Sequence, residues 1–218
     1  FDLIDEAESM ELDTVDSTDF KSVVDACTLC DMCFLTKCPY VPPHEFNLDL
    51  PHLMLRYRAV ELKKGDVGFV KKQIAETDRN GKLAGATAPL ANWVTRNGNG
   101  LTRPVMQAVT GIDKDAAVPK FHGKTLTALA RSNAPQRAAD APASERKAVV
   151  YATCFVNYND PAMGKDALEV LARNGVETEV LHPMCCGMPK LEHGDIQGVA
   201  DAARKVAAGV KPWIEKGY

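Results

Sequence analysis

Seven cysteines carry most of the chemistry open to this sequence, and four stand in one run, Cys27-x2-Cys30-x2-Cys33-x4-Cys38-Pro39. Thiols at i, i+3 and i+6, closed by Cys-Pro, have the spacing with which a short loop wraps an iron–sulfur cluster. Each iron of a cubane cluster asks for one thiolate. A tight loop can set three of them around one end of the cube and aim its backbone amides at the cluster sulfurs, offsetting their negative charge. Such a cluster moves electrons, so the chemistry is redox. Zinc sites more often use two Cys or His pairs about a dozen or more residues apart. A thioredoxin-like Cys-x-x-Cys needs a preceding strand, whereas the approach to Cys27 reads as a helix. Four residues, Phe34 to Lys37, separate Cys33 from Cys38, where the bacterial ferredoxin run has three. Cys38 therefore either completes the cluster of Cys27, Cys30 and Cys33 or serves a neighbouring one, as the last cysteine of two-cluster ferredoxins does.

Cys154, Cys185 and Cys186 form a second group, with Gly187 directly after it. Cys154 follows one strand-like segment and Cys185 a second, and α/β sheets build their sites at the carboxyl ends of strands. Adjacent cysteines have little packing use, and a glycine lets backbone approach a bound group. The three thiols thus read as metal ligands; the alternative is three buried, hydrophobe-like cysteines. His182 could ligate or carry a proton, although a histidine at a strand end is more often a hydrogen-bonded loop residue. His44 and His52 could shield or tune the first cluster. Lys63-Lys64 and Lys71-Lys72 read as solvated helix faces, and Gly65-x-x-Gly68 lacks the strand–helix setting of a phosphate loop.

The elements around these residues follow from periodicity and breakers. Residues 1–19 hold eight carboxylates and no Lys or Arg, which predicts a solvated connector. A helix capped near Ser17 or Asp19 buries Phe20, Val23, Val24 and Cys27 and delivers the chain to the first thiol. Asp49-Leu50-Pro51 opens a helix that Gly65 closes. Helical patterns at 67–78, 82–96 and 101–109 are separated by Asn80-Gly81 and by Asn97-Gly98-Asn99-Gly100. Residues 111–130 have weak periodicity, and 132–147 read as a flexible tether. Beyond residue 148 the pattern is strand, helix (160–173), strand (176–181), then helix (195–216), which predicts a parallel pair in an α/β layer.

Composition narrows the class. A formal charge of −3 with no basic stripe argues against nucleic acid. No apolar run reaches the roughly 20 residues of a membrane span, and no signal-peptide pattern opens the chain. An odd, clustered set of thiols points to metal ligation in a reducing compartment rather than to disulfides.

Cys-x(~30)-Cys-Cys-Gly after a ferredoxin-type run resembles the CCG-domain iron–sulfur family. That family includes the iron–sulfur C subunit of anaerobic glycerol-3-phosphate dehydrogenase, the iron–sulfur subunit of glycolate oxidase and the B subunit of heterodisulfide reductase. The segments Ala152-Thr153-Cys154-Phe155-Val156-Asn157-Tyr158-Asn159-Asp160-Pro161 and Thr28-Leu29-Cys30-Asp31-Met32-Cys33 through His44 carry the likeness. The second segment resembles a branch of heterodisulfide reductase-related proteins in which a four-residue gap before the last cysteine is normal. The resemblance implies an α-rich α+β chain. Residues 1–50 would be the second half of a ferredoxin-like 4Fe-4S module, 51–147 a helical region with a flexible linker, and 148–218 the first part of a Rossmann-like α/β CCG domain. It implies a 4Fe-4S cluster on Cys27, Cys30, Cys33 and Cys38, and an iron–sulfur or zinc centre on Cys154, Cys185 and Cys186. With Phe1 where a start Met would stand, it also implies missing ends: a further ferredoxin motif upstream and a Cys-x-x-Cys element downstream. The implied function is an oxidoreductase subunit relaying electrons between a partner, such as a flavin dehydrogenase, and a quinone or disulfide acceptor. Its place would be cytoplasmic, peripheral to the inner membrane through that partner. A zinc-stapled scaffold and a disulfide reductase are the competing readings.

Overall fold

Two units organise the chain: residues 2–67 with Leu191–Ile196, and Gly68–Lys190 with Gln197–Tyr218. The computed structural model describes residues 2–218, Lys37 by its backbone alone, so Phe1 lies outside the described residues.

In the first unit the acidic segment forms one turn, α1 (Asp2–Asp5), and a 3-10 turn at Leu12–Thr14. The helix leading to the thiols, α2 (Lys21–Ala26), has six residues. It buries Val24 but leaves Val23 42% exposed. The expectation that both are buried fails because so short a helix presents a single inward position. α3 (Leu50–Lys64) is the helix that its end signals specify. The Asp49 carboxylate accepts from the His52 N–H at 3.0 Å, Pro51 occupies the first turn, and Gly65 closes the helix at φ 91°. From α3 the buried Arg58 donates to the carbonyls of Val24 (2.7 Å) and Cys27 and pairs with Glu192 at 3.0 Å. At Gly194 a Cβ would strike the backbone of Arg58 and Ala59, so a glycine lets the returning segment lie against α3.

The second unit opens with four helices: α4 (Phe69–Ile74), α5 (Thr77–Ala86), α6 (Ala88–Thr95) and α7 (Thr102–Thr110). The expected break at Asn80-Gly81 is absent; α5 runs straight through it. Gly81 serves close approach instead, because a Cβ there would stand 2.5 Å from the Tyr158 ring. The true breaks fall at Ala75-Glu76 and at Thr87, where Pro89 in the first turn of α6 cannot donate into a continuing helix. Arg103 of α7, 2% exposed, gathers the loop that follows by donating to the carbonyls of Asp113, Lys114 and Ala116 at 2.9, 2.7 and 2.5 Å. Asn92 pairs with the Phe121 backbone in both directions at 2.8 Å. Side-chain-to-backbone bonds thus order a stretch that has little hydrophobic periodicity. Inside it lies a helix that periodicity does not predict, α8 (Leu126–Ser132).

β1 (Lys147–Tyr151) and β2 (Glu177–Leu181) pair in parallel, from Lys147 opposite Glu177 to Tyr151 opposite Leu181. Between them runs α9 (Pro161–Arg173), capped by Asp160. A one-turn α10 (Met188–Leu191) and the 20-residue α11 (Ile196–Glu215) follow. The core gathers Leu126, Ala152 and Leu168, with Ala130, Val150, Val156 and Val180 against them. The expected strand–helix–strand order and the parallel pairing are both present. The described residues are mostly helical with a small parallel sheet, and none of their helices is long and apolar enough to cross a membrane.

Candidate metal centres

The first thiol run leaves α2 at Cys27 as a loop shaped by its own backbone. Leu29 (φ 52°) and Asp31 (φ 58°) are left-handed, a conformation that side-chain-bearing residues enter at a cost of about 1–2 kcal/mol each. Their effect is to fold the chain around Cys30. The Leu29 N–H points at the Cys27 sulfur at 3.4 Å. The Met32 amide, helped by Thr28, stabilises the Cys30 thiolate and holds that thiol below its ordinary pKa. A π-helical turn over Cys33–Lys37 then carries the chain to Cys38, whose N–H bonds back to the Cys33 carbonyl at 3.2 Å. Cys30 and Cys33 are exposed, while Cys27 and Cys38 are half-buried. Arg58 fixes the start of the loop by holding the Cys27 carbonyl.

The second group is built from side chains. Cys154 follows β1 and opens a second π-helical turn, Phe155–Asn159. Cys185 lies just past β2. Between them stands the start of α5. The Thr77 hydroxyl is 3.1 Å from the Cys185 sulfur and 3.4 Å from that of Cys154. One Asp78 oxygen accepts from the Cys185 N–H at 2.6 Å. The other meets His182 Nε2 at 2.6 Å and the Cys154 thiol at 3.7 Å. His182 Nδ1 is held by the Ala152 carbonyl at 2.6 Å, and Tyr151 and Tyr158 pack on its ring. Thr127 and Asn157 line a cavity of about 260 Å³ beside Asp78 and His182.

Burial and pairing compete in this cluster. Burial pushes the Asp78 carboxyl up, but the bonds from His182 and from the Cys185 amide outweigh it, and its pKa falls below the ordinary value. Burial disfavours charge on His182, yet the Asp78 and Ala152 partners raise its pKa. Between the thiols, Cys154 donates to Cys185. With further support from Thr77 and the Gly187 N–H, Cys185 is drawn down to about 5, while Cys154 is pushed up. Burial raises the Tyr158 hydroxyl to about 12, with the Asp78 charge adding to it.

Of the residues singled out from sequence, Cys154, Cys185 and His182 converge here, and Cys186 is exposed. His182 is the strand-end histidine with bonded partners that the commoner reading describes. Gly187 adopts φ 94°, and a Cβ there would meet the α11 backbone at Val199 at 3.2 Å. His52 bonds Asp49 at 2.6 Å, and His44 sits among Tyr40 and Phe46. Thr77 and Asp78 are neighbours of the thiols that sequence reasoning missed. A Thr-Asp pair opening a helix is a visible signal, but the helical pattern over 67–78 places the pair at a helix end.

Residues 148–212 match the cysteine-rich domain family, CCG. The chain is similar to the C subunit of the anaerobic glycerol-3-phosphate dehydrogenase of Escherichia coli strain K12 and to that of Escherichia coli O157:H7. Each is 33% identical over 138 residues, which is 62% of this chain and 32% of the relative. The aligned stretch thus spans about a third of the length of these curated relatives. No solved structure matches.

Proposed function

We propose that this chain, whose residues 148–212 match the CCG cysteine-rich domain, is a CCG-type iron–sulfur protein acting as an electron-transfer subunit with two metal centres. Cys27, Cys30, Cys33 and Cys38 hold a 4Fe-4S cluster in the second half of a ferredoxin-type module spanning residues 1–50, with Cys38 serving this cluster or a neighbouring one. Residues 51–147 link it to 148–218, the first part of a Rossmann-like CCG domain, whose Cys154, Cys185 and Cys186 hold an iron–sulfur or zinc centre.

The observation that carries this reading is the backbone of the first loop. Two left-handed residues bend it, and the amides of Leu29 and Met32 face the sulfurs of Cys27 and Cys30. A thiolate set with amide donors fits an iron–sulfur cluster, whose sulfurs carry negative charge. When bound, the cluster supplies one-electron transfer. The chain's part is to hold it: the thiols bind, the amides favour the more negative reduced state, and Arg58 anchors Cys27 through its carbonyl.

The similarity to a dehydrogenase subunit supports a partner dehydrogenase, flavin-bearing or similar, as electron donor. The acceptor is a quinone or a disulfide, and attachment to a membrane runs through the partner. Anaerobic reconstitution with iron and sulfide tests the reading. A brown protein, bleached by a strong reductant and giving a paramagnetic resonance, is expected. A colourless protein with stoichiometric zinc and no such signal overturns it in favour of a scaffold.

A further inference from the structure

Among the described residues of the first unit, Arg58 carries the one buried charge, at 8% exposed. One end nitrogen of its guanidinium donates to the carbonyls of Val24, at 2.7 Å, and of Cys27. The other donates to the Glu192 carbonyl at 3.2 Å and to its carboxylate at 3.0 Å. We propose that Arg58 and Glu192 are positioning residues that set the redox potential of the cluster held at Cys27: the guanidinium draws it up and the carboxylate draws it back down. The inference rests on reading Cys27 to Cys38 as a cluster loop, and it deepens that reading by naming where the potential is set.

The placement of both charges carries the argument. α2 ends at Ala26, so the Val24 and Cys27 carbonyls stand at its acceptor-rich end, where a cation is favoured. Arg58 reaches them from within α3 and so sits one hydrogen bond from the first thiol residue of the loop. Glu192 comes from the segment after α10, which Gly194 allows to lie against the backbone of Arg58 and Ala59. Asp25 and Asp31, the charges nearest Cys27 and Cys30 in sequence, are exposed. Water and salt screen such groups, whereas a buried guanidinium is screened far less.

Joining three backbone segments does not require charge. An ion pair taken out of water gains little stability over apolar packing of the same shape. What it adds is a fixed field. Reduction brings one electron and breaks no bond, so the thiol loop gains one negative charge. A guanidinium keeps its proton throughout the ordinary pH range and favours that extra charge. The Glu192 side chain, 36% exposed, offsets the cation only in part.

Redox titration of the iron-loaded full chain with dithionite, followed by visible absorbance and paramagnetic resonance, tests this. Glu192→Gln keeps an acceptor for Arg58 and removes the negative charge. It is expected to lower the oxidised-to-reduced ratio at a set potential by about tenfold, an upward shift of about 59 mV for one electron. Arg58→Met is expected to move the potential down. Arg58→Lys, which keeps the charge and loses the fork, is expected to restore most of it. An unchanged potential in Glu192→Gln overturns the proposal, since a purely structural pair would alter stability alone. Urea unfolding of the metal-free variants reads that structural part separately. Should Glu192→Gln not fold or load, the other two variants decide: a higher potential with lysine than with methionine supports the proposal, and equal potentials overturn it. An unsubstituted chain that takes up no iron ends the electron-relay reading and this inference together. A loaded cluster indifferent to both charges ends this inference alone.

Discussion

The loop from Cys27 to Cys38 and the cluster around Cys154 and Cys185 present sulfur by opposite means. In the first, backbone does the work: left-handed Leu29 and Asp31, amides facing thiols, and Cys30 and Cys33 left open to solvent. In the second, side chains do it: a threonine hydroxyl, a carboxylate and an imidazole surround half-buried thiols. Each thiol group contains a π-helical turn, Cys33–Lys37 leading to Cys38 and Phe155–Asn159 leaving Cys154, where an i to i+5 bond resets the chain direction. A loop lined by amides suits a large, diffuse anionic cluster. A pocket lined by acids, bases and hydroxyls suits a compact charge, either a proton or a single ion.

The contrast can be broken at several depths. The largest effect is expected from Cys30→Ser. It should remove the part of the iron-dependent visible absorbance that belongs to the first loop, whereas Cys186→Ser should leave that part intact; loss of the same part in both variants would mean that the two groups share one cluster. Next is Arg58→Met, which strips the Val24 and Cys27 carbonyls of their donor and leaves Glu192 without its partner. Because Glu192 is partly solvated, a destabilisation of about 2–3 kcal/mol is expected, read by urea unfolding, with cluster absorbance reduced and Cys185 alkylation unchanged.

Smaller is the effect of Cys154→Ala on metal-free protein. Removing the donor returns Cys185 from about 5 toward an ordinary thiol, so alkylation of Cys185 at neutral pH should slow by about tenfold. An unchanged rate would remove the coupling between the two thiols. The smallest effect concerns the cap of α3. The His52 N–H holds the Asp49 carboxyl below the usual range. Such a group stabilises above the ordinary carboxylate pKa, and its contribution is lost as pH falls through the depressed value. An acid-induced shift of the His52 amide resonance in that window is expected, and Asp49→Asn, which caps without titrating, should abolish it.

Legibility in the sequence followed the range of the interactions. α3, α9 and α11 were readable because caps, prolines and glycines act within one helical turn. So was the parallel strand pair, because an apolar strand, an amphipathic helix and a second strand imply it. Asn80-Gly81 misled because a glycine that serves packing looks the same as one that serves a turn; the Tyr158 ring that demands it lies far along the chain. α8 escaped because Arg103 and Asn92, rather than hydrophobic spacing, order the segment around it.

By itself the sequence determined that two groups of thiols exist, how each is spaced, and which local elements lead into them. Tertiary structure alone decided the company they keep. Asp78 meets the Cys185 amide across 107 residues and the Cys154 thiol across 76. Arg58 reaches Glu192 across 134. Hydrogen bonds over such separations leave no periodicity and no breaker in the chain. They form when packing brings distant polar groups out of water together, where each must find a partner.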